Sequence, residues 1–346
     1  LYKECVYPLD KFLVKFKEKL KDKNLQKIII EDILRDHKSV LLALGIKFDR
    51  WFYESVIHKK GLIKKSIAEL ERRGLTFHER ASLWFKSSEY GDDKNRVLIK
   101  EDGQPTYFAA DIAYHVNKFG RGYDKLINVW GTDHHGYVAR LRAALLALGY
   151  PIDKLEIIIG QLVALFRGKE LIRMSKRTGE MVTLKEVIDE IGPDAARYFL
   201  VKNSPNTHLD FDLELAKSKS LENPVYYVCY AHARIRSILK EAKKVGIAPK
   251  IDANLALMTS EAERRLMIKL LRYVDEIDGA SIFMQPHRLT TYAEELAWIF
   301  HNYYHQYRVI SNDKELSKAR LVLVLATSIV LKNVLRLLGI SAPEYM

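Results

Sequence analysis

Apolar residues recur at spacings of three and four in the opening region, at Ile28–Ile30, Ile33–Leu34 and Leu41–Leu44, with Lys, Glu and Asp between them. That period predicts amphipathic helices over residues 1 to about 80, interrupted by a short extended piece at Trp51-Phe52-Tyr53. The pattern then changes. Ala81–Lys86 and Arg96–Lys100 read as strands, joined through the turn-forming Gly91-Asp92-Asp93 and followed by a second turn at Asp102-Gly103. A helix over about Tyr107–Phe119 leads into the apolar run Lys125–Trp130, of the kind buried in parallel sheets, and the rhythm repeats with a helix over Val138–Leu148 and a strand over Leu155–Ile159. From Leu184 onward strands are hard to find. Helical patterns cover Asp194–Val201, Asn223–Lys244, Glu261–Ile277, Leu289–Ile310 and Lys314–Leu338. The sequence therefore predicts an α/β part followed by an all-α part, with the change near Asp210–Asn223, and three regions: 1–80, 81–215 and 216–346.

Composition narrows this only a little. A chain of 346 residues with 48% hydrophobic and 29% charged residues has enough apolar material for two or three cores. Its formal charge of +12 favours a polyanionic partner, without separating RNA, DNA and anionic lipid. Cys5 and Cys229 are too few and too far apart for a disulfide framework or a cysteine zinc site, which fits a reducing compartment. The most apolar run, Leu321–Leu325, is too short to span a bilayer. The chain opens on Leu1 inside a Lys-rich pattern, which reads as a piece of a longer protein.

Three stretches carry candidate chemistry. Arg173-Met174-Ser175-Lys176-Arg177-Thr178-Gly179 places cations on a short loop before a helical pattern. Read alone it is a basic turn, but it also suits a polyphosphate, because mobile cations stabilise charge that develops on phosphate oxygens. Gly131-Thr132-Asp133-His134-His135-Gly136 follows a predicted buried strand, where ligands of open α/β sheets bind. Its glycines permit close backbone approach, and Asp133 and the histidines offer partners for ribose, adenine or phosphate. Asp133 could equally be a helix cap. Tyr107 and Asp111 stand one helical turn apart, and Asp111 lies in an apolar-leaning stretch. It either pairs with Lys118 or Arg121 on an exposed face or holds a cationic ligand, for which a bidentate guanidinium is the strongest partner. No metal-ligand spacing is present. In the all-α part, Tyr226–Arg234 and Phe300–Arg308 mix aromatic and basic residues, the chemistry that stacks unpaired bases and binds phosphates, although most aromatics at helical spacing build cores.

Taken in order, these residues resemble the class I arginyl-tRNA synthetases of the bacterial type. Arg173–Arg177 resembles the family's variant of the KMSKS loop, and Gly131–Tyr137 its adenosine-side motif. Gly91-Asp92-Asp93-Lys94, Asp102-Gly103 with Tyr107 and Asp111, Gly192–Arg197, Ser204-Pro205, Leu209–Asp212, Glu222–Val228, Ala231–Arg234 and Ser341–Glu344 follow in family order. The resemblance implies the C-terminal portion of a Rossmann-like catalytic domain followed by a helical-bundle anticodon-binding domain. It implies ATP-dependent activation of arginine and transfer to its tRNA, in the cytoplasm, by a monomer, with Mg²⁺ accompanying ATP. By the same analogy Tyr107, Asp111 and His134 line the arginine pocket, while Gly131, Asp133, His135, Met174, Ser175 and Lys176 bind ATP. Lys176, assisted by Arg173, stabilises the departing pyrophosphate. Tyr303, Tyr307, Arg308, Tyr345 and Met346 are expected near the anticodon.

The chain departs from the family in one respect that bears on activity: it contains no His-x-Gly-His. Each lost transition-state donor costs roughly 3 kcal/mol, so the 346-residue chain is expected to be inactive by itself. An alternative reading keeps only the basic helical part, as a non-catalytic RNA-binding protein derived from a synthetase.

Overall fold

Helix α1 covers Leu25–Ala43, and Gly45, with φ of 69°, turns the chain out of it. The structure is a computed structural model that describes residues 25–172 and 182–346. These gather into two units. One comprises Phe48–Leu162 with Pro205–His208, the other the described parts of Leu1–Lys47, Val163–Ser204 and Leu209–Met346.

The first unit begins with α2 (Glu54–Lys59) and α3 (Leu62–Arg72). α3 stops at Gly74, where the amides of Gly74 and Leu75 return to the carbonyls of Glu71 and Leu70 at 2.8 and 3.0 Å. The chain beyond is thereby freed to extend. Thr76–Glu79 forms β1, which corrects the helical reading of residues up to about 80: the left-handed turn at Gly74 overrides a helical period continued past it. β1 pairs antiparallel with β2 (Ser82–Phe85), and β3 (Arg96–Ile99) adds to the far side of β2. The turn between β2 and β3 is closed by the buried Asp92, which accepts two bonds from Arg96 at 2.7 and 2.8 Å.

α4 (Tyr107–Phe119) follows with the bounds its pattern predicts. Thr106 caps it, accepting from the Ala109 amide at 3.3 Å, and donates to the Val97 carbonyl at 2.9 Å, so β3 fixes where the helix starts. β4 (Leu126–Gly131), α5 (Tyr137–Ala147) and β5 (Leu155–Gly160) complete a parallel βαβ unit with Leu126 opposite Leu155 and Gly131 opposite Gly160. Alternation along β4 turns Leu126 and Asn128 inward and leaves Ile127 and Val129 exposed.

The second unit holds strands that the sequence did not announce. β6 (Val163–Arg167) and β7 (Glu170–Leu171) form a hairpin around Gly168. After α6 (Leu184–Ile191) and α7 (Pro193–Lys202), β8 (Leu209–Asp212) pairs parallel with β6. β8 thus adds a strand to the stretch beyond Leu184, where strands are hard to find in the sequence. Four residues are too few to show a period, yet Leu209 and Phe211 alternate into the core while Asp210 faces out. α8 (Leu213–Lys217) leads to α9 (Pro224–Lys244), started by Asn223, whose side chain accepts from Val225 and Tyr226 amides. The single helix expected over Glu261–Ile277 is two, α10 (Glu261–Leu271) and α11 (Tyr273–Ile282), divided at Arg272. α12 (His287–Gln306) and α13 (Lys314–Leu337) pack with α9 around a core that includes Leu266, Leu296, Phe300 and Val324. No helix among the described residues is long and apolar enough to cross a membrane.

Candidate functional site

In the first unit, the face of α4 carrying Tyr107, Asp111 and Tyr114 meets α2 and the loop after β4 around a recess of about 470 Å³. Its walls include Phe52, Glu54, Tyr107, Asp111, Tyr114 and His134. The structure therefore brings together the three residues assigned by resemblance to arginine. Tyr107 stands at the rim, 79% exposed. Asp111 is half-buried. Burial raises its pKa above the ordinary carboxylate value, and the charge of Glu54 raises it further, while His134 and Lys118 act in the opposite direction.

Asp111 is not paired with Lys118 or Arg121. Lys118 donates to Asn128 Oδ1 at 2.8 Å, and Arg121 donates to Asn117 Oδ1 at 3.0 Å. The carboxylate faces the recess instead. Glu54 is a site residue that the sequence reading missed. It is the first residue of α2, far from α4 in sequence, and its one signal is that it follows the aromatic run Trp51-Phe52-Tyr53. The half-buried Asp111 and the exposed Glu54, which also pairs with His58 at 3.7 Å, give the recess a negative lining chemically suited to a cation bearing several donors.

The loop after β4 is exposed at Gly131, Asp133, His134, His135 and Gly136. A Cβ at Gly131 would lie 2.9 Å from Asp133 Oδ1, an exposed side-chain end that can turn away. His134 is placed between Trp130 and Tyr137, with ring centroids at 5.9 and 5.8 Å, and lines the recess. His135 is not among the recess residues, nor are Gly131 and Asp133. Arg173, Met174, Ser175 and Lys176 lie outside the described residues.

The second unit contains a recess of about 620 Å³ between α9 and the segment that follows α12. Tyr307, Arg308, Tyr345 and Met346 line it, as do Tyr230, Arg234 and Tyr304, which the sequence reading did not select. Their signal was present: Tyr230 and Arg234 are one turn apart within the aromatic and basic stretch of α9. The Arg234 guanidinium lies over the rings of Tyr230 and Tyr304, 4.5 and 5.4 Å from their centroids, and donates to the Tyr230 hydroxyl. Tyr303 requires a correction. It is fully buried, so it cannot present its ring to a nucleic acid, and its hydroxyl has no hydrogen-bond partner among the described residues. It supports Tyr307 from beneath, with ring centroids 5.9 Å apart.

The remaining lining residues are placed by their backbones. Arg320, tied to the buried Glu263 at 2.7 Å, donates to the Arg308 carbonyl at 2.8 Å. The C-terminal strap is held along α9, where His232 Nδ1 meets the Pro343 carbonyl at 2.7 Å and Arg236 pairs with Glu344 at 3.1 Å. Tyr345 and Met346 are thereby delivered to the recess.

Comparison with known proteins identifies both parts. Residues 9–221 match the family described as tRNA synthetases class I (R), catalytic domain, and residues 228–346 the DALR anticodon binding domain. The chain is 47% identical to an arginine–tRNA ligase of Moorella thermoacetica, over 99% of its own length and 63% of the relative's. It is 49% identical to one of Carboxydothermus hydrogenoformans, over 95% of its own length and 59% of the relative's. A crystal structure from Campylobacter jejuni described as a putative arginyl-tRNA synthetase superposes with a TM-score of 0.87 at 32% identity, covering 97% of this chain and 74% of that one. The chain thus spans about 60% of the length of the curated relatives it matches.

Proposed function

Because the chain belongs to the class I arginyl-tRNA synthetase family, we propose that it carries the arginine-recognising and tRNA-recognising parts of an arginine–tRNA ligase. In that reaction the arginine carboxylate attacks the α-phosphorus of ATP and pyrophosphate leaves. A terminal hydroxyl of the tRNA then attacks the arginyl carbonyl, and AMP leaves. The observation that carries the reading is the convergence of Asp111, Glu54, Tyr107 and His134 on one recess.

A guanidinium is flat, permanently charged and has five N–H donors in a fork, so it can bond Asp111 with two parallel hydrogen bonds and still reach a second carboxylate. A lysine ammonium offers no such fork. Binding a cation also relieves the cost that burial and Glu54 impose on ionised Asp111. The exposed loop from Gly131 to Gly136 would receive the nucleotide, as the strand-end position of its glycines suits. Lys176, with Arg173, would neutralise the departing pyrophosphate by family analogy. The basic and aromatic recess of the second unit would take a base of the anticodon loop, stacked by tyrosines while Arg308 meets phosphate. The same reading makes the parent enzyme a cytoplasmic monomer that meets Mg²⁺ as the ion carried by ATP. A purely RNA-binding role does not account for the half-buried carboxylate of Asp111 at this recess.

Calorimetry with arginine and with citrulline, its uncharged isostere, tests the pocket. A charged hydrogen-bonded contact of roughly 1.5–3 kcal/mol predicts that citrulline binds at least tenfold more weakly and that Asp111→Asn erases the difference. Equal affinity for the two ligands would overturn the assignment. ATP–pyrophosphate exchange by the 346-residue chain with arginine and tRNA is expected to be negligible.

A further inference from the structure

Behind the recess, three polar side chains are linked where a core would ordinarily be apolar. His115, on α4, is 2% exposed and Asn128, at an inward position of β4, is 4% exposed. His115 Nδ1 lies 2.7 Å from the Asp111 carbonyl, and its Nε2 lies 2.8 Å from Asn128 Nδ2. Asn128 Oδ1 in turn accepts from Lys118 Nζ at 2.8 Å. Each atom has one available role. A carbonyl only accepts, so His115 must be protonated at Nδ1, and Nε2 is then the acceptor for the Asn128 amide. The amide oxygen is left to face a donor, and the chain ends on a cation that also lies over the Tyr114 ring, 4.5 Å from its centroid.

Asp111 and Lys118 are seven residues apart, two helical turns, and so share a face of α4. The charged groups that act on the Asp111 carboxylate are Glu54 from α2, His134 from the loop after β4, and Lys118 from α4 itself. Of these, Glu54 and burial favour the protonated acid, while His134 and Lys118 oppose it.

We propose that Lys118, Asn128 and His115 are positioning residues for Asp111: Asn128 holds the Lys118 ammonium behind the carboxylate, and His115 anchors the helical turn that carries it. The inference rests on the recess being the arginine site, but the device acts before any ligand arrives. Two carboxylates facing one half-desolvated space repel, and an unsupported Asp111 would take up a proton and lose its grip on a guanidinium. A cation fixed on the same helix face opposes that protonation. The tether matters as much as the charge. A free lysine could swing into the recess, pair with Asp111 directly and compete with the substrate, whereas one bonded to Asn128 stays behind it. Asn128 is suited to this because its amide can donate to a neutral imidazole and accept from an ammonium at once.

The test is an NMR titration of the chain labelled at aspartate carboxyl carbons and histidine ring nitrogens, for the unaltered protein, Lys118→Gln and Asn128→Asp. In the unaltered protein His115 should be the Nδ1–H tautomer. Lys118→Gln should raise the Asp111 midpoint while the backbone amide spectrum is preserved. Asn128→Asp should also raise it, by neutralising Lys118, and should raise the His115 midpoint, because Nε2 must now donate to a carboxylate. Arginine affinity should fall about two- to fivefold in both variants. An Nε2–H tautomer in the unaltered protein, or an Asp111 midpoint that does not move in Lys118→Gln, overturns the proposal. Should Asn128→Asp fail to fold, Lys118→Gln decides alone. If the Asp111 midpoint shifts but none of the proteins binds arginine, the arginine assignment fails and the relay stands; if all bind arginine and the midpoint is unmoved, the relay fails and the assignment stands.

Discussion

Gly339→Ala should destabilise the helical unit and disable the recess proposed for RNA together, although the substitution adds one methyl group. Gly339 has φ of 71°, the left-handed conformation that ends α13, with its amide bonded to the Arg336 carbonyl at 3.0 Å. Placing an L-residue there costs about 1–2 kcal/mol. The added Cβ would also stand 2.5 Å from Arg197 Nη2 and 2.6 Å from its Cζ and Nε. That guanidinium cannot step aside freely, because Nε donates to the Leu338 carbonyl at 2.8 Å and Nη1 to the Leu44 carbonyl at 2.5 Å. Giving up one such charged bond costs about 1.5–3 kcal/mol, so the total is about 2.5–5 kcal/mol. With a urea dependence of about 2–3 kcal/mol per molar, the unfolding midpoint should drop by about 1–2.5 M. Residues Ser341–Glu344, which deliver Tyr345 and Met346, follow directly, so affinity for an anticodon stem-loop should fall as well. A double-mutant cycle isolates the cause. In an Arg197→Ala background the same Gly339→Ala change should cost only the backbone strain of about 1–2 kcal/mol. Equal costs in the two backgrounds would refute the reasoning.

Two further outcomes follow from the same geometry. Arg308→Ala removes an exposed cation from the recess proposed for RNA while its backbone stays tied to Arg320, so stem-loop affinity should weaken and the slope of log affinity against log salt should shrink by about one; an unchanged slope means Arg308 meets no phosphate. Burial, then the Lys118 charge, holds the His115 pKa down from 6.5 to about 4. Below pH 6.5 the unfolded chain takes up a proton there that the folded chain does not, so stability is full above 6.5 and is lost as pH falls towards 4, by about 2 kcal/mol at pH 5 and about 3 kcal/mol by pH 4. Urea unfolding at pH 7 and pH 5 should show that loss in the unaltered protein and not in His115→Gln; equal losses in both would assign it elsewhere.

Much of the fold was legible because long elements average over local noise. α4 was readable to the residue, and β4 and β5 within one or two, since each combines a clear period with turn residues at its ends. β6, β7 and β8 were not, because strands of two to five residues give no period, and their pairing joins residues far apart in sequence. In the first recess, helical spacing puts Tyr107 and Asp111 on one face and the family resemblance gives them a role, whereas Glu54 approaches from another helix, and only the folded chain shows that its charge acts on Asp111.

The tyrosines of α12 show a subtler limit. Tyr303 and Tyr307 are one turn apart and were assigned together, and they do stack. But the helix ends at Gln306, and Tyr307 takes extended backbone angles of φ −127° and ψ 132°, so its ring and the following Arg308 leave the helical surface for the recess while Tyr303 stays in the core. One residue further, at Tyr304, the helix has rotated by about 100°, which is enough to carry a tyrosine from the core to the guanidinium of Arg234. Chemical type therefore pointed to a segment that does line a recess. Assigning the individual ring requires helical phase and the position of the helix end, which no Gly or Pro marks in this segment.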